Sequence, residues 1–557
     1  MRRLTLFIAL TAALLPALHA AEPAKTEMAA FAQHALDANC DKVGPGMAVL
    51  LARGDEVLYR GACGLANLEL GVPLSADHVF RIGSVTKQFA AAGVLKLAET
   101  GKLSLDDPLT KFVPGYPDGD KVSVRMLLNH TSGIRSYTDI PGVMGGTPIM
   151  RDVTTAELID TFKSEKPDFA PGERWNYNNS GYVLVGAVIE AASGKTWHAY
   201  LDEVFFKPLG MTHTGYGNEQ DGVIPGHVDG YSRKNDQWAR ASYLSMTQPH
   251  AAGALVSTVD DLLKWNRALH EGKVLQDASY RAMVTPVGKA MGSDYGFGIF
   301  EGTLRGVPQL QHGGGIPGFN SYLLYLPGSD TTVAVLYNAD GARQGMQDTR
   351  SIAELLAAQA IGKPYPEKKP IPIDVATLKQ YEGIYRVDTD EARALRVVDG
   401  KLTSQRTGGS VFALMPVAKD AFLFEEGFSR MQFERGADGG ITGMRFFPEG
   451  EGAGALGQRT DEPIPSARTE VTLPRQALER VVGIYAKDGM RMTVSLDGDM
   501  PRARLAGQPA FDIFAESPSR FFLKVVDATL VFSPDAGRPD KVTLHQGGQE
   551  LVFTRQD

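Results

Sequence analysis

The C-terminal third of the chain repeats itself. The run Leu378-Lys379-Gln380-Tyr381-Glu382-Gly383-Ile384-Tyr385 returns as Leu478-Glu479-Arg480-Val481-Val482-Gly483-Ile484-Tyr485, and Phe422 returns as Phe522, all at an offset of 100 residues. A period that long marks duplicated domains rather than the stacked unit of a solenoid. Each copy is built from short alternating segments, such as Leu395-Arg396-Val397-Val398 and Met492-Thr493-Val494-Ser495-Leu496, broken by Gly and Asp turns. Alternation at period two with frequent turns predicts antiparallel strands, so two small antiparallel β-barrels are the economical reading. A charged, proline-rich stretch around Lys363-Pro364-Tyr365-Pro366 separates the repeats from what precedes them.

The 557 residues leave well over 300 for the front part, more than the roughly 150 of an average domain. Hydrophobic residues make up 43% and charged residues 22%, enough to build buried cores. The formal net charge is -8, and no basic stripe interrupts it, which argues against a nucleic-acid partner. Arg2 and Arg3 precede an apolar run over residues 4–15, followed by Leu18-His19-Ala20. Such a charged start, short apolar core and small-residue end predicts a cleaved signal peptide over residues 1–20, too short for a spanning helix. The expectation is a periplasmic or secreted protein, without membrane insertion once the leader is removed.

Two cysteines occur, Cys40 and Cys63. They flank an expected hairpin, residues 47–52 and 56–60 around Gly54-Asp55. In an oxidising compartment they can pair; they can equally be two small buried residues, because mirroring Cys40 through the turn lands near Glu69 rather than Cys63. No ligand cluster with metal spacing is present, and no cofactor is expected. Between the hairpin and the linker the pattern runs through a helix from Ser84 to about Glu99 closed by Gly101, a helix capped by Thr258 with Asp261 at the reciprocal position, and two strands, 322–326 and 332–337. That order predicts an antiparallel sheet covered by helices.

Ser84-Val85-Thr86-Lys87 puts a hydroxyl and an ammonium one helical turn apart on one face. The surrounding Phe89 to Leu95 stretch is apolar nearly all round, which implies a buried helix, and burial lowers a lysine pKa. A neutral lysine beside a serine can take its proton. Alone, the motif is more often a surface serine beside a solvated lysine. Its company is Pro171-Gly172-Glu173-Arg174-Trp175-Asn176-Tyr177-Asn178-Asn179, then Gln311-His312-Gly313-Gly314-Gly315, and between Ser84 and these Leu128-Asn129-His130-Thr131-Ser132-Gly133.

Together these motifs resemble the serine hydrolases of the penicillin-binding protein and class C β-lactamase superfamily, peptidase family S12, over about residues 27 to 360. The resemblance implies an α/β (α+β) β-lactamase/transpeptidase-like domain, an antiparallel sheet flanked by helices with a helical subdomain, followed by the two barrels. The expected layout is a hydrolase domain over 21–362, a linker over 363–374, and barrels over 375–465 and 466–557. It also implies that Ser84 forms an acyl-enzyme while Lys87 and Tyr177 share the base and proton-shuttle work. Asn179 would orient Lys87 and hold a substrate amide, and the strand of His312, Gly314 and Gly315 would supply, with the Ser84 N–H, the oxyanion hole. His130, Thr131, Gly133 and Gly253 read as backbone geometry. A second Tyr-x-Asn, Tyr216-Gly217-Asn218, lacks the Pro-Gly lead-in and is set aside.

The related Lys-Thr-Gly motif here takes the form His312-Gly313-Gly314, which lacks the permanent charge and hydroxyl that clamp a substrate carboxylate. With the appended barrels, this resembles the D-aminopeptidase branch, in which a loop of the last barrel reaches the active site. The expectation is therefore a hydrolase of small D-amino-acid peptides or amides. A broad esterase or β-lactamase-like hydrolase is the alternative, and a catalytically silent penicillin-recognising sensor is the alternative of another class. The barrels suit a lid, a contact in a homodimer, or cell-wall binding.

Overall fold

The computed structural model describes residues 23–556, apart from 141, 145–146, 235–236, 342–345, 388–390, 408, 426, 449, 453, 465–469, 488–489, 506–509, 525 and 547–548. The leader expected over residues 1–20 and the division expected between residues 465 and 466 lie outside the described residues.

Met47-Ala48-Val49-Leu50-Leu51-Ala52 is apolar at every position, so a strand made from it must be covered on both faces. It forms β1 (Met47–Arg53), which pairs with β2 (Glu56–Cys63) in a six-stranded antiparallel sheet. The other strands are β3 (Phe300–Leu304), β4 (Val307–Ile316), β5 (Phe319–Leu326) and β6 (Thr331–Tyr337), and the spatial order is β3-β4-β5-β6-β1-β2. The period-two alternation of a strand sends Met47, Val49 and Leu51 into one core, with helices α1 (Lys25–Ala38) and α5 (Thr349–Ala360). Ala48, Leu50 and Ala52 enter the other core, which contains α2 (Thr86–Glu99), α3 (Asn179–Ser193) and α4 (Val259–His270). The site described below lies where this second layer meets β4.

α2 is buried from Thr86 through Leu95, as its all-round apolar sequence requires. Ser84 itself sits in the tight single turn Gly83–Val85 that leads into the helix, and Gly101, at φ 71°, lies just past its end. At the start of α4, Thr258 Oγ1 accepts from the Asp261 N–H at 3.2 Å. The reciprocal half expected of Asp261 is not made: its carboxylate accepts from the His213 N–H at 2.8 Å and the Thr214 hydroxyl at 3.1 Å, tying α4 to the loop before it.

The two repeats each close into an eight-stranded antiparallel barrel, Gly383–Arg386 to Ala455–Thr460 and Gly483–Lys487 to Gln549–Arg555. The repeated tyrosine has the same task in both. The buried Tyr385 hydroxyl donates to the Tyr381 carbonyl at 2.8 Å, and that of Tyr485 to the Val481 carbonyl at 2.9 Å. A buried phenol needs an acceptor, and the segment just before each first strand provides one, the turn after the helix Val375–Lys379 in the first barrel and the last residue of the helix Arg475–Val481 in the second. The first barrel is joined to the β3–β4 turn by Arg305, whose buried guanidinium donates to the Lys363 carbonyl at 3.0 Å and the Pro364 carbonyl at 3.1 Å and pairs with Glu451 at 2.6 Å. Tyr365 stacks on Phe428 at 3.7 Å beside it. Among the described residues, no helix is long and apolar enough to cross a membrane.

Cys40 and Cys63 form a disulfide with a Cα–Cα distance of 6.0 Å. Cys63 lies opposite Met47 in the β1–β2 ladder. The mirrored position of Cys40 near Glu69 presumes a straight chain, but residues 41–44 fold into a turn closed by the Gly44 N–H on the Asp41 carbonyl. That turn brings Cys40 back to the sheet end. A cross-link spanning 23 residues stabilises by about 3 kcal/mol through loss of unfolded-state entropy. The Cys40→Ser/Cys63→Ser double variant should lose about that much in urea unfolding, and wild type should lose the same on reduction. Equal stability with and without reductant would show that the bond contributes nothing.

Candidate active site

The start of α2, the start of α3, the end of β4 and the turn before Leu255 converge on Ser84. Lys87, one helical turn on, is fully buried. Its Nζ lies 3.1 Å from Ser84 Oγ, 2.9 Å from Asn179 Oδ1 and 2.8 Å from the Ala252 carbonyl oxygen. Burial holds its pKa well below the ordinary lysine value. The three neighbours decide what each protonation state can do. Asn179 Oδ1 and the Ala252 carbonyl only accept, whereas the Ser84 hydroxyl can donate or accept. As an ammonium, Lys87 donates to all three. As a neutral amine it keeps two donors for Asn179 and Ala252, and its lone pair faces Ser84, ready for the hydroxyl proton.

Burial raises the Tyr177 pKa, opposed by a smaller influence of the nearby Ser84 side chain, so it stays a phenol at neutral pH. Lys87 Nζ lies 4.8 Å from its ring centre. The run Asn178-Asn179 works as an N-terminus for α3: Asn178 Oδ1 caps it by accepting from the Gly181 N–H at 2.7 Å, which leaves Asn179 in the first turn to face Lys87. The Asn179 amide is set by a bond from its Nδ2 to Thr138 Oγ1 at 3.3 Å, which leaves Oδ1 for Lys87.

The His-Thr-Ser-Gly turn is the support of this loop, as read from the sequence. His130, at φ 61° and buried, accepts the Asn178 N–H at Nδ1, 3.1 Å away, and its carbonyl accepts the Asn176 N–H at 3.1 Å. Its ring lies 4.4 Å from that of Tyr177. Burial above all holds its pKa far below the usual histidine range, so it is neutral. Thr131 and Gly133 contribute carbonyls that accept from Gly172 and Asp168. Gly253 packs against Pro249, and the Tyr216-Gly217-Asn218 run lies on another edge, in a strand beside Leu255.

β4 brings His312, Gly313, Gly314 and Gly315 alongside the turn that carries Ser84. A Cβ on Gly83 would come within 2.9 Å of the Gly315 nitrogen, and one on Gly314 would overlap the Ile82 carbonyl oxygen and Ser321 Oγ. Only glycine permits this approach. The Ser84 N–H, at a helix start with no intrahelical acceptor, and the Gly315 N–H are thus carried on adjacent backbones. His312 is buried, with its pKa lowered to about 3 chiefly by burial and then by Lys87. Nδ1 lies 2.6 Å from its neighbour's carbonyl, Gly313 O, so it carries the proton, and Nε2 accepts from the Tyr295 hydroxyl at 3.2 Å. Both ring nitrogens are therefore committed inside the protein.

Two participants escaped the sequence reading. The Ala252 carbonyl has no side-chain signal. Tyr295 did leave one, the alternation Tyr295-Gly296-Phe297-Gly298: a Cβ on Gly298, at φ 72°, would stand 2.7 Å from the Lys87 backbone carbonyl carbon. Those glycines let the segment lie directly on α2.

Comparison with known proteins gives a family model described as "Beta-lactamase", matched over residues 28–357. The chain is 26% identical to the D-aminopeptidase of Gluconobacter oxydans (strain 621H), across 83% of this chain and 84% of that protein. It is 30% identical to Esterase EstB of Burkholderia gladioli, across 48% of this chain and 80% of the esterase. The structure of a D-stereospecific amidohydrolase from Streptomyces superposes with a TM-score of 0.51 at 30% identity, covering 58% of this chain and 97% of that one.

The Gly314→Ala variant should remain folded by circular dichroism but force β4 away from Ser84. If the Gly315 N–H serves as an oxyanion donor, misplacing it costs about 10²-fold in rate, so acylation by a fluorophosphonate should slow by about that factor. Wild-type acylation of the variant would contradict the assigned contact.

Proposed function

The chain belongs to the beta-lactamase family, and from that premise we propose that it is an exported hydrolase acting through an acyl-enzyme on Ser84, with small D-amino-acid peptides or amides as substrates. That it is a serine hydrolase follows from its family. The roles of individual residues, the export and the substrate class are our reading.

Ser84 Oγ attacks the substrate carbonyl carbon as its proton passes to the Lys87 lone pair. The developing oxyanion is met by the N–H groups of Ser84 and Gly315. Tyr177, held as a phenol by burial, gives its proton to the departing amine as the C–N bond breaks, and the Lys87 ammonium returns one to Tyr177. Water then attacks the acyl carbon with the same groups in reverse, releasing the acid and restoring the Ser84 hydroxyl. Asn179 keeps Lys87 aimed throughout, and its Nδ2 edge is the side suited to a substrate amide.

The single observation that carries the substrate class is the state of His312. A neutral, buried imidazole with both nitrogens engaged offers nothing to a substrate carboxylate. This favours substrates cleaved at an amide or short amide-like bond over those recognised by a terminal carboxylate. The 83% coverage by the D-aminopeptidase match, which is too long to end within the hydrolase part, supports that branch over the esterase match that covers 48%. The disulfide supports an oxidising compartment.

A fluorophosphonate should add its mass to the Ser84 peptide of wild type and not of Lys87→Ala. An adduct that is absent, or indifferent to Lys87, would contradict the residue roles. The enzyme should release p-nitroaniline from D-alanine p-nitroanilide at least tenfold faster than from the L form and leave N-acetyl-D-Ala-D-Ala intact. Turnover confined to short-chain p-nitrophenyl esters would defeat the D-peptide reading while leaving the acyl-enzyme standing.

A further inference from the structure

On the His250 side of the helix layer lies an open pocket of about 530 Å³, within the size range of small-molecule sites. The single turn His250–Ala252 touches both this pocket and the serine site. The two ends of that turn face opposite ways. The Ala252 carbonyl holds Lys87 Nζ at 2.8 Å, while the His250 ring lines the cavity with Nε2 3.1 Å from Thr155 Oγ1. His250 adopts a φ of 47°, a left-handed conformation that a non-glycine residue holds only where its surroundings demand it.

The lining is a carboxylate among aromatic rings. Glu190 accepts from the Thr155 hydroxyl at 2.9 Å and from the Trp197 N–H at 3.3 Å. A carboxylate has about four acceptor positions, so two protein donors leave acceptor capacity toward the cavity. His198 stacks on Tyr216 with ring centres 4.3 Å apart, and the Trp197 ring meets both edge-on at 5.5 and 5.6 Å. The Thr155 proton goes to Glu190, so the Thr155 oxygen accepts the His250 Nε2–H. The opposite edge of His250 abuts Gly186, where a Cβ would lie 2.6 Å from Nδ1. His250 is neutral, its pKa lowered to about 3 by burial first and then by His198. Lys195, also in the lining, is ion-paired with Glu203.

We propose that this cavity is a second binding site, for a small organic ammonium ion, and that its occupant acts on Lys87 through the His250–Ala252 turn. The carboxylate of Glu190 supplies the charge, and the stacked His198–Tyr216 pair that lines the pocket supplies aromatic surface beside it for the cation or an aryl group. An occupant pressing on the His250 ring shifts the turn, and with it the carbonyl that fixes the Lys87 amine. The site does not depend on which substrate Ser84 accepts.

The test uses protonated phenethylamine at neutral pH, with 2-phenylethanol as its uncharged counterpart, measured by calorimetry on the full chain. Phenethylammonium should bind saturably with Ser84 blocked by a fluorophosphonate, and bind at least tenfold tighter than the alcohol. Glu190→Gln should weaken it at least tenfold, and Tyr216→Leu, as a second variant with the charge intact, should weaken it severalfold. The rate of Ser84 acylation should change at least twofold at saturation in wild type and not in Glu190→Gln. Absence of saturable binding, loss of binding when Ser84 is blocked, or binding indifferent to both substitutions would overturn the site. An acylation rate unmoved at saturation would overturn the coupling.

Discussion

A fully buried lysine organises this structure. Taking an ammonium out of water costs several kcal/mol unless its neighbours compensate, and Lys87 meets that cost with two obligate acceptors and one hydroxyl. This arrangement stabilises either protonation state and differs between them only at Ser84. Each acceptor comes from a different part of the chain: Ser84 from the turn before α2, Asn179 from the start of α3, Ala252 from the turn before Leu255. The helix layer must be assembled around the amine before any of the chemistry is available. The same burial keeps Tyr177 a phenol and His130 and His312 neutral, so one desolvated pocket sets four groups at once.

Much of this was legible in the sequence because it rests on local pattern. The buried character of α2 follows from its unbroken apolar run, the barrels from period-two alternation repeated at 100 residues, and the Thr258 cap from its spacing. Ser84, Lys87, Tyr177 and Asn179 were identified by motif, and the structure brings them together. What was not legible depends on long-range placement. The Ala252 carbonyl has no residue-type signature, and Tyr295 shows only as an aromatic between glycines. The geometry of Cys40 and Cys63 hinged on a turn at residues 41–44 that a register argument treats as straight, and Asp261 went to His213 and Thr214 because a neighbouring loop offered better donors than the helix start.

The C-terminal barrels are more than appended mass. Arg305, at the tip of the hairpin whose second strand runs into His312 and Gly315, is gripped by the carbonyls of Lys363 and Pro364 and by Glu451 of the first barrel. The stretch that reads as a linker is thereby fixed at its start, with Tyr365 stacked on Phe428. A strand clamped at one end and packed against Gly83 at the other has little freedom to shift its backbone N–H groups. That connects the barrel, through β4, to the backbone beside Ser84.

The chemistry at Ser84 requires Lys87 to be a neutral amine under working conditions. The most direct measurement is an NMR titration of ¹⁵N-labelled lysine side chains, with Lys87 assigned by its loss in Lys87→Ala. One resonance should titrate well below the others, and acylation of Ser84 should perturb that resonance above all others. A Lys87 signal titrating with the rest, near 10.5, would mean that the amine is a fixed charge and that the serine proton goes elsewhere.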